Sequence, residues 1–234
     1  MDKTSPIQIT LTERSDAVTI TQWVYKTLRN AVMCGEILPG RALTIRELAG
    51  VLDVSNMPVR EALRQLAAEN ALEIGDNRRI QVPGMTAPKF RELCEARICI
   101  ETHAAARALP YITPATLNEL RQIDAQIDQL QAQGQLEQSG ILNQAFHRTL
   151  YAANPNQVTL PMVESLWLQL GPFMRLALDE LDLDQLIDRH SEALSAIEAQ
   201  DEAALCKAIE ADIREGVSLA DSPEFRYYLT AQTH

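Results

Sequence analysis

In the segment Val54-Ser55-Asn56-Met57-Pro58-Val59-Arg60-Glu61-Ala62-Leu63-Arg64-Gln65-Leu66, the apolar residues Val59, Ala62, Leu63 and Leu66 fall within one arc of a helical wheel. The spacing predicts a helix that buries that arc and turns Met57, Arg60, Glu61 and Arg64 outward. Ser55 stands at its cap position, and Asp53-Val54-Ser55-Asn56 forms the turn before it. Upstream, Thr44 and Glu47 make a capping-box pattern for a short helix with Leu48 and Val51-Leu52 on its apolar side. Further back, Val24, Leu28 and Val32 recur at helical spacing from about Ile20 to Gly35, and Pro39-Gly40 marks a turn. Downstream, Leu72-Glu73-Ile74 and Ile80-Gln81-Val82 alternate on either side of Gly75-Asp76-Asn77-Arg78-Arg79, the pattern of a β-hairpin. Residues 1–19 are polar, lack an apolar period and read as an arm.

Helix, helix, tight turn, helix and hairpin in this order predict a winged helix-turn-helix, whose third helix enters the DNA major groove. Arg60 and Arg64, at i and i+4, share the exposed face of that helix and can reach base edges or phosphates. Arg78 and Arg79 cap the hairpin tip, and Lys26, Arg29, Arg41 and Arg46 are further candidates for phosphate contacts. The pattern alone also suits a small helical domain with ordinary solvated arginines.

The sequence detail narrows the choice. Leu38-Pro39-Gly40-Arg41-Ala42-Leu43, then Glu47-Leu48-Ala49, then the Val54 to Leu66 segment closely resemble the DNA-binding domain of GntR-family transcription regulators, over residues 20–83. The resemblance implies an operator of double-stranded DNA contacted by Arg41, Arg46, Ser55, Asn56, Met57, Arg60, Arg64, Arg78 and Arg79. Asn56-Met57 stands where the family commonly has Arg-Thr, so one DNA-contacting cation is missing. Asn70 and Arg79 stand where Gly is frequent, and Asn tolerates the left-handed conformation that such a position requires.

Pro83-Gly84 and Pro88 place a boundary near residue 86. Beyond it only helical patterns occur, at about 88–109, 114–132, 137–153, 157–181, 184–200 and 201–220, so the fold class is mainly α: a winged helix followed by an all-α bundle. Gly171-Pro172 is expected to kink or divide the fourth of these helices. The expected division is an arm at 1–19, a DNA-binding domain at 20–86, an effector-binding and dimerisation domain at 87–222 and a tail at 223–234. Residues 1–86 carry ten basic and ten acidic side chains, whereas the remainder carries eleven basic and twenty-two acidic, so the net charge of -11 belongs to the bundle. An overall acidic chain argues against nucleic acid, but this asymmetry removes the objection. Without a long apolar run or a leader pattern, the chain is expected to be cytoplasmic and not membrane-bound. The spacing of Cys34, Cys94, Cys99 and Cys206 makes neither a zinc knuckle nor a disulfide framework, and reduced core thiols are expected.

Polar residues on apolar faces mark the bundle. His190 lies amid Leu183, Leu186, Ile187, Leu194 and Ile197; Asp212 lies amid Leu205, Ala208, Ile209, Gly216 and Leu219; Asn143 and His147 lie at i and i+4 beside Phe146 and Leu150. Such a set can hold a divalent transition metal, zinc or nickel, or it can form a metal-free hydrogen-bonded network. Arg97, on an inner face with Phe90, Leu93, Cys94, Ile100 and Ala104, needs an anion, and Glu101 at i+4 can supply it.

Asn143-Gln144-Ala145-Phe146-His147-Arg148-Thr149-Leu150, followed by Ala152-Ala153-Asn154-Pro155, resembles the ligand segment of the FCD domain, the effector domain of FadR-type GntR regulators. The resemblance implies metal ligands at Asn143, His147 and His190, with Asp212 where the family has a second late His. It also implies an effector pocket at Arg97 and Glu101, with Arg175 a further candidate; His103 is an ordinary core or surface histidine. The expected function is a homodimeric, ligand-responsive repressor that binds an operator and senses a small organic acid. A metal-dependent enzyme, or a DNA-binding protein whose bundle only dimerises, are the alternatives.

Overall fold

The computed structural model describes residues 7–15, 17–75, 79–178 and 189–218, without the side chains of 177, 178 and 216–218. The first helix, α1 (Ile20–Met33), opens on a full capping box: the Thr19 hydroxyl accepts the Gln22 N–H and the Gln22 side chain accepts the Thr19 N–H. It ends where Gly35 takes a φ of +75°. The second, α2 (Ile45–Val51), starts on the Thr44 hydroxyl, which accepts the Glu47 N–H at 3.1 Å. Ser55 occupies the cap position of α3 (Asn56–Ala68), but its side chain makes no capping bond. Asn70 then turns the chain at φ +57°, the conformation expected of an Asn in that place.

The hairpin pairs β1 (Glu73–Ile74) with β2 (Ile80–Gln81), antiparallel, with Glu73 opposite Gln81 and Ile74 opposite Ile80. Leu43 adds a bridge from outside the two strands, exchanging N–H···O bonds of 2.7 and 2.9 Å with Ile80. The hairpin is thereby tied to the loop before α2. The expected apolar arcs form the core: Val24, Leu28, Val32, Leu48, Val59, Leu63 and Leu66 are all buried, at roughly 1.5 to 3 kcal/mol for each large side chain. The arm is pinned as well. Ile7 is buried, the Trp23 indole N–H donates to the Thr12 carbonyl at 2.8 Å, and the Thr12 and Thr27 hydroxyls bond at 2.6 Å.

Among the described residues, seven further elements follow: α4 (Ala87–Ala108), a 3-10 turn (Leu109–Tyr111), α5 (Pro114–Ala132), α6 (Leu136–Ala152), α7 (Leu160–Leu178), α8 (Arg189–Ala199) and α9 (Glu202–Ser218). Thr86 and Thr113 cap α4 and α5, each with a Pro in the first turn, where its missing N–H has no helical partner to lose. In the bundle α4 packs on α6 and α9, α5 on α6 and α8, and α8 on α9.

The chain divides into two compact units. One holds the described residues up to Met85 together with Trp167–Leu176; the other holds Thr86–Leu166 and the described residues from Ala177 onward. Within the first unit, Gly171 passes so close to α1 that a Cβ there would lie 2.0 Å from the Met33 carbonyl oxygen. A Cβ on Gly35 would lie 2.3 Å from that of Arg175. Both glycines are therefore required by close approach, and Gly35 by its left-handed φ as well.

Two expectations need correction. Of the kink or division expected at Gly171-Pro172, the division does not occur: α7 runs unbroken through Pro172, forfeiting one backbone hydrogen bond while burying Leu168, Leu170 and Phe173 around the proline. The four free thiols are not all core residues, because Cys34 and Cys94 are buried, Cys206 is half-buried and Cys99 is exposed. The expected helical start at 184–188, the expected tail at 223–234 and Arg78 at the hairpin tip lie outside the described residues. Among the described residues, no helix is long and apolar enough to cross a membrane.

Candidate functional site

In the first unit, the outer face of α3 is the exposed polar surface that the sequence predicted. Ser55, Asn56, Arg60 and Arg64 are exposed, and Met57, at 63% exposure, is a large apolar side chain held in solvent. Arg64 pairs with Glu61 at 2.9 Å; both are solvated, so the pair contributes little and Arg64 is released from it easily. Arg46 and Arg79 are exposed, whereas Arg41 leans on Glu47 at 3.3 Å. Arg29 is committed internally. It meets Glu69 at 3.2 Å, and the Tyr25 hydroxyl donates to the same carboxylate, so burial and that neighbouring charge push the Tyr25 phenol up to about 12.

In the second unit, side chains from five helices converge. Asn143, His147 and Tyr151 come from α6, one turn apart; His190 comes from α8, Asp212 from α9, Asp124 from α5, and Arg97 and Glu101 from α4. The His190 ring lies flat on Phe146, with centroids 4.1 Å apart and planes 20° apart. Its Nδ1 is 2.8 Å from Asp124 Oδ1 and its Nε2 is 3.0 Å from Asn143 Oδ1. The His147 ring stands edge-on to it, 5.4 Å away, with Nδ1 3.2 Å from the Tyr151 hydroxyl and Nε2 3.2 Å from Asp212 Oδ2. The Tyr151 hydroxyl in turn donates to Glu101 Oε2 at 2.9 Å, and Arg97 Nε–H donates to Glu101 Oε1 at 2.6 Å. One metal-ligating atom each from His147, His190 and Asp212 lie within 4.8 Å of one another.

The electrostatics follow from burial and neighbours. Burial alone pushes the Asp212 carboxyl up, but the hydrogen bond and charge of His147, with the charges of His190 and Arg97, hold it below the usual carboxylate value. Burial opposes the Arg97 charge, and Glu101 more than offsets this, so the guanidinium stays protonated. Burial and the Glu101 carboxylate push the Tyr151 phenol well up, which keeps its O–H as a donor.

All four expected ligands, Asn143, His147, His190 and Asp212, therefore meet, and the expected Arg97–Glu101 pair lies beside them. Asp212 is less enclosed than its helical position implied, with its side chain 24% exposed. Arg175 lies in the other unit, with its Cβ against Gly35, and His103 is exposed. Two participants went unforeseen. Asp124 is buried between Leu120 and Ile127, a charged residue on an apolar stripe and so readable in principle; Tyr151 is four residues after His147, where an (i, i+4) contact was available.

Residues 20–82 match the family described as bacterial regulatory proteins, gntR family, and residues 92–215 match the FCD domain. The HTH-type transcriptional regulator McbR of Escherichia coli (strain K12) is 30% identical over 187 residues, covering 79% of this chain and 85% of that protein. The chain belongs to the GntR family. It is a member with a C-terminal FCD domain. Another relative is the gluconate operon transcriptional repressor of Bacillus subtilis (strain 168), 24% identical over 78% of this chain and 77% of its own length. The solved structure of E. coli McbR/YncC superposes on this GntR-family chain with a TM-score of 0.81 at 26% identity, covering 86% of this chain and 97% of the other. These proteins are transcriptional regulators, so the chain is a DNA-binding regulator and the enzyme alternative falls.

Proposed function

We propose that the chain acts in the cytoplasm as a homodimeric repressor: residues 20–86 read an operator, and residues 87–222 sense a small organic acid at a site that holds a divalent transition metal, zinc or nickel. The observation that carries the sensing part is the spacing of the second unit's donors. Neighbouring ligands on one cation with bonds of about 2.0 to 2.2 Å stand roughly 3 to 3.5 Å apart. Two such spacings are present, 3.0 Å between His190 Nε2 and Asn143 Oδ1 and 3.2 Å between His147 Nε2 and Asp212 Oδ2. Two buried imidazoles, an amide oxygen and a carboxylate are a donor set suited to such an ion.

His147, His190, Asp212 and Asn143 would hold the cation, which would offer its open positions to an effector carboxylate. Arg97 uses its Nε–H for Glu101, and its terminal amino groups suit the same carboxylate in a two-point contact. On the DNA side, Arg60 and Arg64 supply base or phosphate contacts, Arg41, Arg46, Arg78 and Arg79 flank them, and Ser55, Asn56 and Met57 lead the helix into the groove. The name of the B. subtilis relative makes gluconate a first member of any effector panel.

Purified protein is expected to carry close to one transition-metal ion per chain, and chelation should lower its Tm. At a thousandfold excess of metal over Kd the folded state gains about 4 kcal/mol, which corresponds to roughly 10 °C for a chain of this size. Protein that stays metal-free by elemental analysis after zinc and nickel addition would reduce the cluster to a hydrogen-bonded network.

A further inference from the structure

Neither Asp124 nor Tyr151 offers an atom to the donor set, yet each contacts a donor ring on the side away from it. We propose that Asp124, and Tyr151 acting with Glu101, are positioning residues that keep the protons of His190 and His147 on Nδ1, so that both rings turn a bare Nε2 toward one divalent cation. The inference rests on the cation reading above and assigns the chain's own residues a part in it.

A neutral imidazole carries one N–H, and only its other nitrogen can bind a metal. Asp124 Oδ1, 2.8 Å from His190 Nδ1, is a carboxylate oxygen and can only accept, so the proton is held there and Nε2 keeps its lone pair. The His147 case needs two residues. A tyrosine hydroxyl can donate or accept, and one that donated to Nδ1 would drive the imidazole proton to Nε2, where it would block the ion. Glu101 prevents this by taking the Tyr151 O–H at 2.9 Å, which leaves the tyrosine oxygen to accept from His147 Nδ1 at 3.2 Å. Glu101 is itself fully buried and fixed by Arg97, so the direction of the chain from His147 to Tyr151 to Glu101 is set from its far end.

On the inner side the consequence is a cluster of acceptors. With the protons held on Nδ1, each Nε2 would meet a cation beside an oxygen already at coordination spacing, Asn143 Oδ1 at 3.0 Å and Asp212 Oδ2 at 3.2 Å, oxygens that serve the same nitrogens as hydrogen-bond partners when no cation is bound. Phe146, stacked on His190, holds that ring in plane. The donors come from α6, α8 and α9, while the groups that orient them come from α4, α5 and the next turn of α6. Helices that contribute no ligand thus govern whether the ligands are available.

The test uses the full chain with its imidazole nitrogens 15N-labelled. The sequence holds only four histidines, so the ring signals are few enough to assign. Zn²⁺-loaded wild-type protein should show His147 and His190 protonated on Nδ1. Tyr151→Phe, which keeps the ring and loses only the hydroxyl, should disturb the tautomer of His147 alone; Asp124→Leu, of similar size, should disturb His190 alone. Each should weaken Zn²⁺ binding about 10- to 100-fold in competition with a chelator of known affinity. Protonation on Nε2 in the Zn²⁺-loaded wild type, or wild-type Zn²⁺ affinity in both variants, would overturn the assignment while leaving the cation reading standing. A wild type that takes up no Zn²⁺ would instead overturn the cation reading itself and this inference with it.

Discussion

Replacing Arg60 and Arg64 together by Ala should weaken operator binding by about 2 to 6 kcal/mol, on the basis of 1 to 3 kcal/mol for each bidentate base contact. Both side chains project from the exposed face of α3, one turn apart, with Val59, Ala62, Leu63 and Leu66 anchoring the opposite face. Arg60 is ready for a groove, and Arg64 has only a solvated partner in Glu61 to leave. Neither contributes to the core, so the double variant should fold as the wild type does and its Tm should hardly move. Fluorescence anisotropy at two salt concentrations separates the possible roles: lost base contacts reduce discrimination between operator and random DNA, whereas lost phosphate contacts reduce the salt slope and weaken both alike. Unchanged affinity and unchanged slope would remove α3 as the reading helix.

Glu101→Leu should destabilise the second unit by about 3 to 5 kcal/mol, the usual result of stranding a buried charge. Glu101 is fully buried and the Arg97 side chain is only 12% exposed, so the guanidinium would lose its sole ion-pair partner among the described residues with little access to water. The Tyr151 hydroxyl would lose its acceptor in the same step. Urea denaturation measures the effect. Adding Arg97→Met should restore much of the loss, because an apolar pair of similar volume is often as stable as the ion pair it replaces. If Glu101→Leu alone is as stable as the wild type, the Arg97–Glu101–Tyr151 chain does not hold the bundle together.

The parts of this fold written in local periodicity were legible. The arc of Val59, Ala62, Leu63 and Leu66, the Thr44 cap and the alternation around Gly75 each specify an element within a few residues, and each element is where its pattern placed it. What depends on partners distant in the chain was not. Leu43 pairs with Ile80 through backbone atoms alone, and a single extended residue has no period to announce it. Pro172 reads as a breaker because its local cost is certain, but the burial of its neighbours outweighs that cost only in the assembled unit. Gly171 looked like part of the same interruption, and it is instead a point where α1 leaves no room for a Cβ.

The candidate metal centre divides along the same line. His147 and Asn143 share a helix face, and His190 and Asp212 each interrupt an apolar stripe, so all four were identifiable as misplaced polar residues. Their partners were harder to see. Asp124 interrupts a stripe too, but α5 is polar almost throughout, which hides one more carboxylate. Tyr151 is an unremarkable core aromatic until Glu101, fifty positions earlier, accepts its hydrogen bond.

The claim that the second unit is a metal-assisted acid sensor is tested most directly by operator affinity itself. Affinity would be measured across a panel of mono- and dicarboxylic acids, gluconate included, with zinc present and again after chelation. The account predicts that at least one acid lowers operator affinity when zinc is bound and loses that effect when zinc is removed, because a ligand shifts an equilibrium only through unequal binding to its two states. An acid response of equal size with and without zinc, or no response to any acid under either condition, would contradict it.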